Sequence, residues 1–109
     1  MSDTLKVLAQ SNPSATTLTD LYTVPSVTSV VGSTIFVCNT GSSSTTFRIS
    51  VAVAGVADTL KQYLYYDITI PGNDTFAATV GISLATTDKV RIFAGNGNLT
   101  FNLFGTEIT

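Results

Sequence analysis

The chain has no histidine, no tryptophan, one cysteine, and only five basic and seven acidic side chains in 109 residues. Each shortage excludes something. Without histidine there is no side chain that ordinarily exchanges a proton near neutral pH, and no imidazole to hold zinc, copper or iron. With Cys38 alone there is neither an internal disulfide nor a thiolate cluster. It lies in the apolar string Ser33-Thr34-Ile35-Phe36-Val37-Cys38-Asn39-Thr40 and reads as a small buried hydrophobe, since no histidine exists to activate it as a nucleophile. Lys6, Arg48, Lys61, Lys89 and Arg91 are scattered, so no basic run can neutralise a row of phosphates, and nucleic acid is not an expected partner.

The acidic residues are equally sparse. Asp67, Asn73, Asp74 and Asp88 lack the dense spacing of a calcium loop and read as solvated turn residues. Glu107 is the only glutamate, and no aspartate stands out as its partner in a glycosidase pair. Gly95-Asn96-Gly97 is followed by no helix, so no helix N-terminus would receive a phosphate. No catalytic residue, cofactor or metal ligand is expected. No apolar run approaches 18 residues, so no membrane-spanning helix is expected. The opening Met1-Ser2-Asp3-Thr4 has neither a basic nor an apolar signal region, so synthesis in a cytoplasm is expected. The glycosylation-type tripeptides Asn73-Asp74-Thr75 and Asn98-Leu99-Thr100 would then go unmodified.

What the chain does have is threonine and serine, nineteen and eleven of them, beside an apolar content of 44%. Charged residues make up 11%, where about 25% is usual, so neutral hydroxyl and amide groups must solvate the surface. The apolar content is ordinary for a globular protein, and the length is that of one domain.

The dominant pattern is period two, the signature of strands. Leu5, Val7 and Ala9 alternate with Lys6 and Leu8 before a break at Ser11-Asn12-Pro13-Ser14. Leu21–Val24 ends at Pro25, and Val27–Val31 ends at Gly32. Ile35–Cys38 is apolar on both faces and suggests a central strand covered on both sides. Phe47, Ile49, Val51 and Val53 form one face of the next strand. Val56–Gln62 could hold a helical turn and nothing longer. Leu64, Tyr66, Ile68 and Ile70 then point to the core, with Tyr63, Tyr65, Asp67 and Thr69 opposite. After the turn Pro71-Gly72-Asn73-Asp74, Phe76, Ala78, Val80, Ile82 and Leu84 continue the core. Val90 and Ile92 follow, then a tight connection at Gly95–Asn98, then Leu99, Phe101 and Leu103.

About eight strands without a significant helix predict an all-β fold, an antiparallel β-sandwich or jelly roll, with an up-and-down barrel as second choice. Residues 19–109 form one domain. Residues 1–18 are either an N-terminal arm or the first strand. Tyr63, Tyr65, Phe93 and Phe104 lie opposite the core residues of their strands. Outward aromatics on a surface of Thr and Ser suit a protein–protein interface. A closed homo-oligomeric ring, a trimer, is the expected way to bury them.

Several strings in order add a resemblance: Leu21-Tyr22-Thr23-Val24-Pro25, Ile35-Phe36-Val37-Cys38-Asn39, Thr46-Phe47-Arg48-Ile49, Tyr65-Tyr66-Asp67-Ile68, Asn73-Asp74-Thr75-Phe76, Ala85-Thr86-Thr87-Asp88-Lys89-Val90 and Phe104-Gly105-Thr106-Glu107-Ile108. Across most of residues 18–108 the chain resembles small virion structural proteins of tailed bacteriophages, including those of cyanobacteria. The resemblance implies a structural role on the virion, assembled in the host cytoplasm. The expectation drawn from it is a capsid decoration, or cement, protein that clamps the major capsid protein or contacts other virion proteins. Two alternatives stay open at this point. One is an adaptor or receptor-contacting module at the neck, tail or fibre. The other is a carbohydrate-binding sandwich, with Tyr63 and Tyr65 stacking on sugar rings and Asp67 and Asn73 binding hydroxyls.

Overall fold

Alternating apolar and small polar residues give eight strands: β1 (Asp3–Ser11), β2 (Thr19–Thr23), β3 (Ser29–Asn39), β4 (Thr45–Ala52), β5 (Tyr63–Ile70), β6 (Thr75–Leu84), β7 (Lys89–Ala94) and β8 (Leu99–Ile108). The computed structural model describes residues 2–109, the side chain of Val80 excepted, so the expectations for Met1 and for Val80 as a core residue lie outside the described residues. β1 pairs with β8, β2 with β7, β3 with β6 and β4 with β5, all antiparallel. This is the pairing of one long ribbon doubled back at the β4–β5 connection. Wrapping the ribbon brings β3 beside β8 and β4 beside β7. Two four-stranded sheets result, A in the order β1-β8-β3-β6 and B in the order β2-β7-β4-β5. That order is a jelly roll, the expected antiparallel sandwich and not an up-and-down barrel.

The β4–β5 connection holds two single turns of 3-10 helix, Val53–Gly55 and Leu60–Gln62, the second within the segment expected to turn helically. Within residues 1–18, Asp3–Ser11 is a strand paired with β8 along its length.

The core lies between the sheets. Phe47 of sheet B is fully buried, with ring centroids 5.1 Å from Phe76, 6.3 Å from Phe101 and 6.4 Å from Tyr65. Ile35, Val37, Ile49, Val90, Ile92, Leu99 and Leu103 surround this aromatic centre. Tilted and edge-on ring pairs at these separations add to the burial itself.

Bulges change which residues point inward. A register slip of one residue moves the side chains that follow to the opposite face. On β1 the register shifts between Val7 and Ala9, so Leu8 is buried while Leu5 and Val7 point out. On β5, Phe47 is opposite Ile68 but Ile49 is opposite Tyr65, which leaves two residues of β5 against one of β4. Asp67 takes φ 52° at this point, a left-handed conformation that aspartate tolerates better than most residues. The inversion corrects the strict alternation read from Tyr63–Ile70. Tyr65 packs against the core with Ile68, while Leu64 and Tyr66 are exposed.

At one end of the sandwich the buried Asn39 ties three segments together. Its amide donates to Ser43 O at 2.9 Å and Pro71 O at 3.2 Å, and its Oδ1 accepts from Gly41 N at 3.0 Å. The approach is so close that a Cβ on Gly72 would sit 2.3 Å from the Ser42 backbone, which accounts for glycine in the Pro71–Asp74 turn.

The inverted face of β5 has a direct test. Tyr65→Ala is expected to cost about 3 kcal/mol as a large-to-small core change. Tyr66→Ala is expected to cost no more than about 1 kcal/mol, the scale of a partly exposed cation–π contact. Urea denaturation of the two variants measures the difference, and a larger loss at Tyr66 than at Tyr65 would return β5 to strict alternation.

Candidate interaction surface

The two outer faces of the sandwich are chemically opposite. On sheet B, β7 sends Lys89, Arg91 and Phe93 outward, and β4 sends Arg48, Ser50 and Ala52, because their neighbours Val90, Ile92, Phe47 and Ile49 face the core. The connection 53–62 folds back over part of this face, and Arg91 clips it down. The guanidinium donates from Nη1 to Asp58 Oδ1 at 2.6 Å and to Val56 O at 2.6 Å. It also donates from Nη2 to Gly55 O at 2.8 Å and from Nε to Asp20 Oδ1 at 2.9 Å. Ser50 Oγ donates to the other Asp58 oxygen at 2.6 Å. The Arg91 and Asp58 side chains are 11% and 6% exposed, so the pair is nearly desolvated and each charge depends on the other.

Beside this clip lies a second closed cluster. Arg48 pairs with both carboxylate oxygens of Asp67 and stacks 4.3 Å from the Tyr66 ring centre and 4.6 Å from that of Phe93. Tyr63 meets Tyr66 edge-on at 4.9 Å. The aromatic groups of this face are engaged with one another and with Arg48.

A third charged group joins the sheets along one edge. The Tyr22 hydroxyl of sheet B donates to Glu107 Oε2 of sheet A at 2.5 Å, and Lys6 Nζ donates to Glu107 Oε1 at 3.2 Å. The Tyr22 hydrogen bond, followed by Lys6, holds Glu107 below its ordinary range, while burial and the same carboxylate push Tyr22 well above its own. Lys89 and Arg91 likewise hold Asp20 below the usual carboxylate range.

The outer face of sheet A is different in kind. Register places its side chains in rows across the strands. Leu5, Thr106, Val31 and Ser83 form one row, Val7, Phe104, Thr34 and Thr79 the next, then Gln10, Asn102, Phe36 and Ala77, and finally Thr100, Cys38 and Thr75. None of these is charged. Among the described residues the only charged side chain on the face is Asp3, in the terminal row with Ile108 and Ser29. Leu5 is 83% exposed, Val7 44%, Val31 42% and Phe36 38%. Phe36 and Phe104 meet edge-on at 5.7 Å. No other strand pairs or packs over these rows among the described residues.

The four aromatics singled out from the sequence are not one surface. Tyr63 and Phe93 lie on the outer face of sheet B, Phe104 on the outer face of sheet A, and Tyr65 packs inward. The two-tyrosine platform imagined for a sugar therefore does not form, and Asp67 is taken up by Arg48. Asp74 and Asp88 sit in turns at opposite ends of the sandwich. Asp74 accepts from Thr75 N, and Asp88 accepts from Ala54 N and Ala85 N. Among the described residues no three of His, Cys, Asp or Glu gather as a metal site, and no helix is long and apolar enough to cross a membrane. Sequence reading missed Leu5, Val31 and Phe36. The signal was present in Ile35–Cys38, whose apolar character on both faces fits a central strand, but one of its two faces is uncovered. Comparison with protein-family models, with curated proteins and with solved structures finds no match.

Two predictions follow from the charged groups. Asp58→Ala leaves the nearly buried Arg91 with the more exposed Asp20 as its only carboxylate partner and is expected to cost about 2 kcal/mol. It is also expected to release the 53–62 connection, seen as faster amide exchange and proteolysis confined to that segment; an unchanged segment would deny the clip its role. The second concerns pH. Glu107 and Asp20 are lowered on folding, so each contributes stability above its ordinary pKa, 4.5 and 3.8, that is lost as pH falls through the folded values. Tyr22 is raised, so its contribution is complete below the ordinary 10.0 and is lost as pH rises from there through the higher folded value. Denaturation midpoints across pH should be level near neutrality and fall on both sides, and Tyr22→Phe should flatten both limbs. An identical profile for the variant would remove this group from the linkage.

Proposed function

We propose that the chain is a structural protein of a tailed-bacteriophage virion, and specifically a capsid decoration protein. In this reading a small jelly roll oligomerises and lies on the assembled shell, where it clamps neighbouring copies of the major capsid protein. The observation that carries the proposal is the outer face of sheet A, charged only at Asp3 among the described residues, an open strand surface bearing Leu5, Val7, Val31, Phe36 and Phe104. Contiguous apolar patches on soluble proteins commonly mark protein contacts. The resemblance of residues 18–108 to virion structural proteins supplies the assembly, and a jelly roll is an architecture that capsid proteins use.

The mechanism is linkage. Contacts that exist only in the closed shell lower the free energy of that state relative to a shell that has opened. The reading needs no reaction, cofactor, metal, nucleic acid or membrane, and it places the protein on the virion after assembly in the host cytoplasm.

Copy number and position test it together. Quantitative mass spectrometry and electron microscopy of intact particles are expected to find on the order of hundreds of copies on the capsid exterior. A handful at the neck, tail or fibre would replace decoration by an adaptor role, and absence from the particle would end both.

A further inference from the structure

The face that supports a protein contact also constrains its occupant. We propose that the outer face of sheet A is covered by a second copy of this chain, sheet A against sheet A about a two-fold axis. The inference specifies the oligomer of the virion reading, and rests on that reading only for where the dimer works.

Charge is the first argument. All but one of the twelve charged residues lie off this face. Arg48, Asp67, Asp20, Lys89, Arg91 and Asp58 are on sheet B and the connection clipped to it, together with Lys61, which belongs to the same connection. Asp74 and Asp88 are in end turns, and Lys6 and Glu107 at the inter-sheet edge. A neutral face matches a neutral partner, because a charged partner would lose hydration and find no opposite charge in return. The same face on a second copy carries only Asp3, in its terminal row, so the rows between have no like charges to bring together.

Closure is the second argument. The outer faces of sheets A and B point in opposite directions, so packing A of one copy on B of the next would repeat as an open stack. It would also set the Arg48, Asp67 and Tyr66 cluster of face B against apolar rows. A ring that buries Tyr63, Phe93 and Phe104 in one kind of contact is blocked by this placement. The isologous pair closes with the residues as they stand, and a dimer thus takes the place of the expected trimer.

Area is the third. Four strands about 4.8 Å apart and roughly nine residues long give a footprint of roughly 19 Å by 30 Å before side-chain relief is added. This is of the order of the ~800 Å² per partner that a standard interface covers.

The test is the oligomeric state of the full chain by sedimentation and light scattering. The wild type is expected to be a dimer. Val31→Lys and Phe36→Lys, each replacing an outward residue of β3, are expected to raise the dissociation constant at least about 100-fold by facing like charges across the axis. Circular dichroism should be that of the wild type, and thermal melting that of wild-type protein diluted until it is monomeric. Thr69→Lys, exposed on the outer face of sheet B, is expected to leave the dimer intact. A monomeric wild type, a dimer indifferent to both β3 substitutions, or a monomeric Thr69→Lys would each overturn the inference. Labelling of Cys38 needs no variant. It lies in the last row of the face, half-buried, and its reaction with a maleimide should slow severalfold between dilute and concentrated wild-type protein; a rate independent of concentration counts against the dimer. A monomer that still decorates particles would refute the dimer and leave the virion reading standing, whereas a dimer absent from particles would do the reverse.

Discussion

The buried pair of Arg91 and Asp58 is the interaction on which the inequality of the two faces depends. A jelly roll closes its core between two sheets and by itself leaves both outer faces open. The ten-residue stretch 53–62 would otherwise be a loose excursion from the far end of the ribbon. Arg91 reaches two of its carbonyls, Gly55 and Val56, and the carboxylate of Asp58, while Ser50 satisfies the remaining carboxylate oxygen. Arginine suits the place because its planar donors can serve several acceptors at once and its charge is permanent. The result is that Ser50 and Ala52 of sheet B are buried, although they point away from the core. Sheet A has no such cover among the described residues, and its outer face is an open strand surface.

Much of this architecture was legible from period two, and the part that was not has a specific cause. The turn residues at Pro71–Asp74 and Gly95–Asn98, the approximate strand count and the sandwich class follow from local pattern, although Gly32, expected to end a strand, lies inside β3. Core membership also follows wherever a strand runs without interruption, as in β7 and β8. It fails at the bulges. Between Tyr65 and Ile68 one extra residue is absorbed at Asp67, and nothing in Tyr-Leu-Tyr-Tyr-Asp-Ile announces where alternation will skip, since aromatic and aliphatic residues occupy both faces. The same holds on β1, where Leu5, Val7 and Leu8 are all apolar and only the register with β8 selects Leu8 for the core. Of the four outward aromatics only Tyr65 is turned inward by a bulge; the other three fail to form one surface because β5 and β7 belong to sheet B and β8 to sheet A. Pairings between residues far apart in the chain, such as Tyr22 with Glu107, were invisible for another reason: they are products of the wrapping of the ribbon and have no local signature.

The scarcity of charge takes on a different meaning once the residues are placed. Twelve charged groups are few, yet most are spent on internal ties: the clip on sheet B, the Arg48 and Asp67 cluster, and the Lys6, Glu107 and Tyr22 edge. Little remains to keep an apolar strand face hydrated, and threonine performs that task. Its branched side chain favours a strand, and its hydroxyl can be hydrated in the free chain. In the rows of sheet A, Thr34, Thr79, Thr106, Thr100 and Thr75 alternate with Val, Leu and Phe. Removing water from a hydroxyl costs far less than removing it from an ammonium or a carboxylate. A face built from threonine and apolar residues can therefore stay hydrated alone and still be covered at low cost. A face made soluble by lysine and glutamate would resist the same burial. With Asp3 alone charged, in its terminal row, the outer face of sheet A can thus be hydrated as it stands and would be covered at low cost.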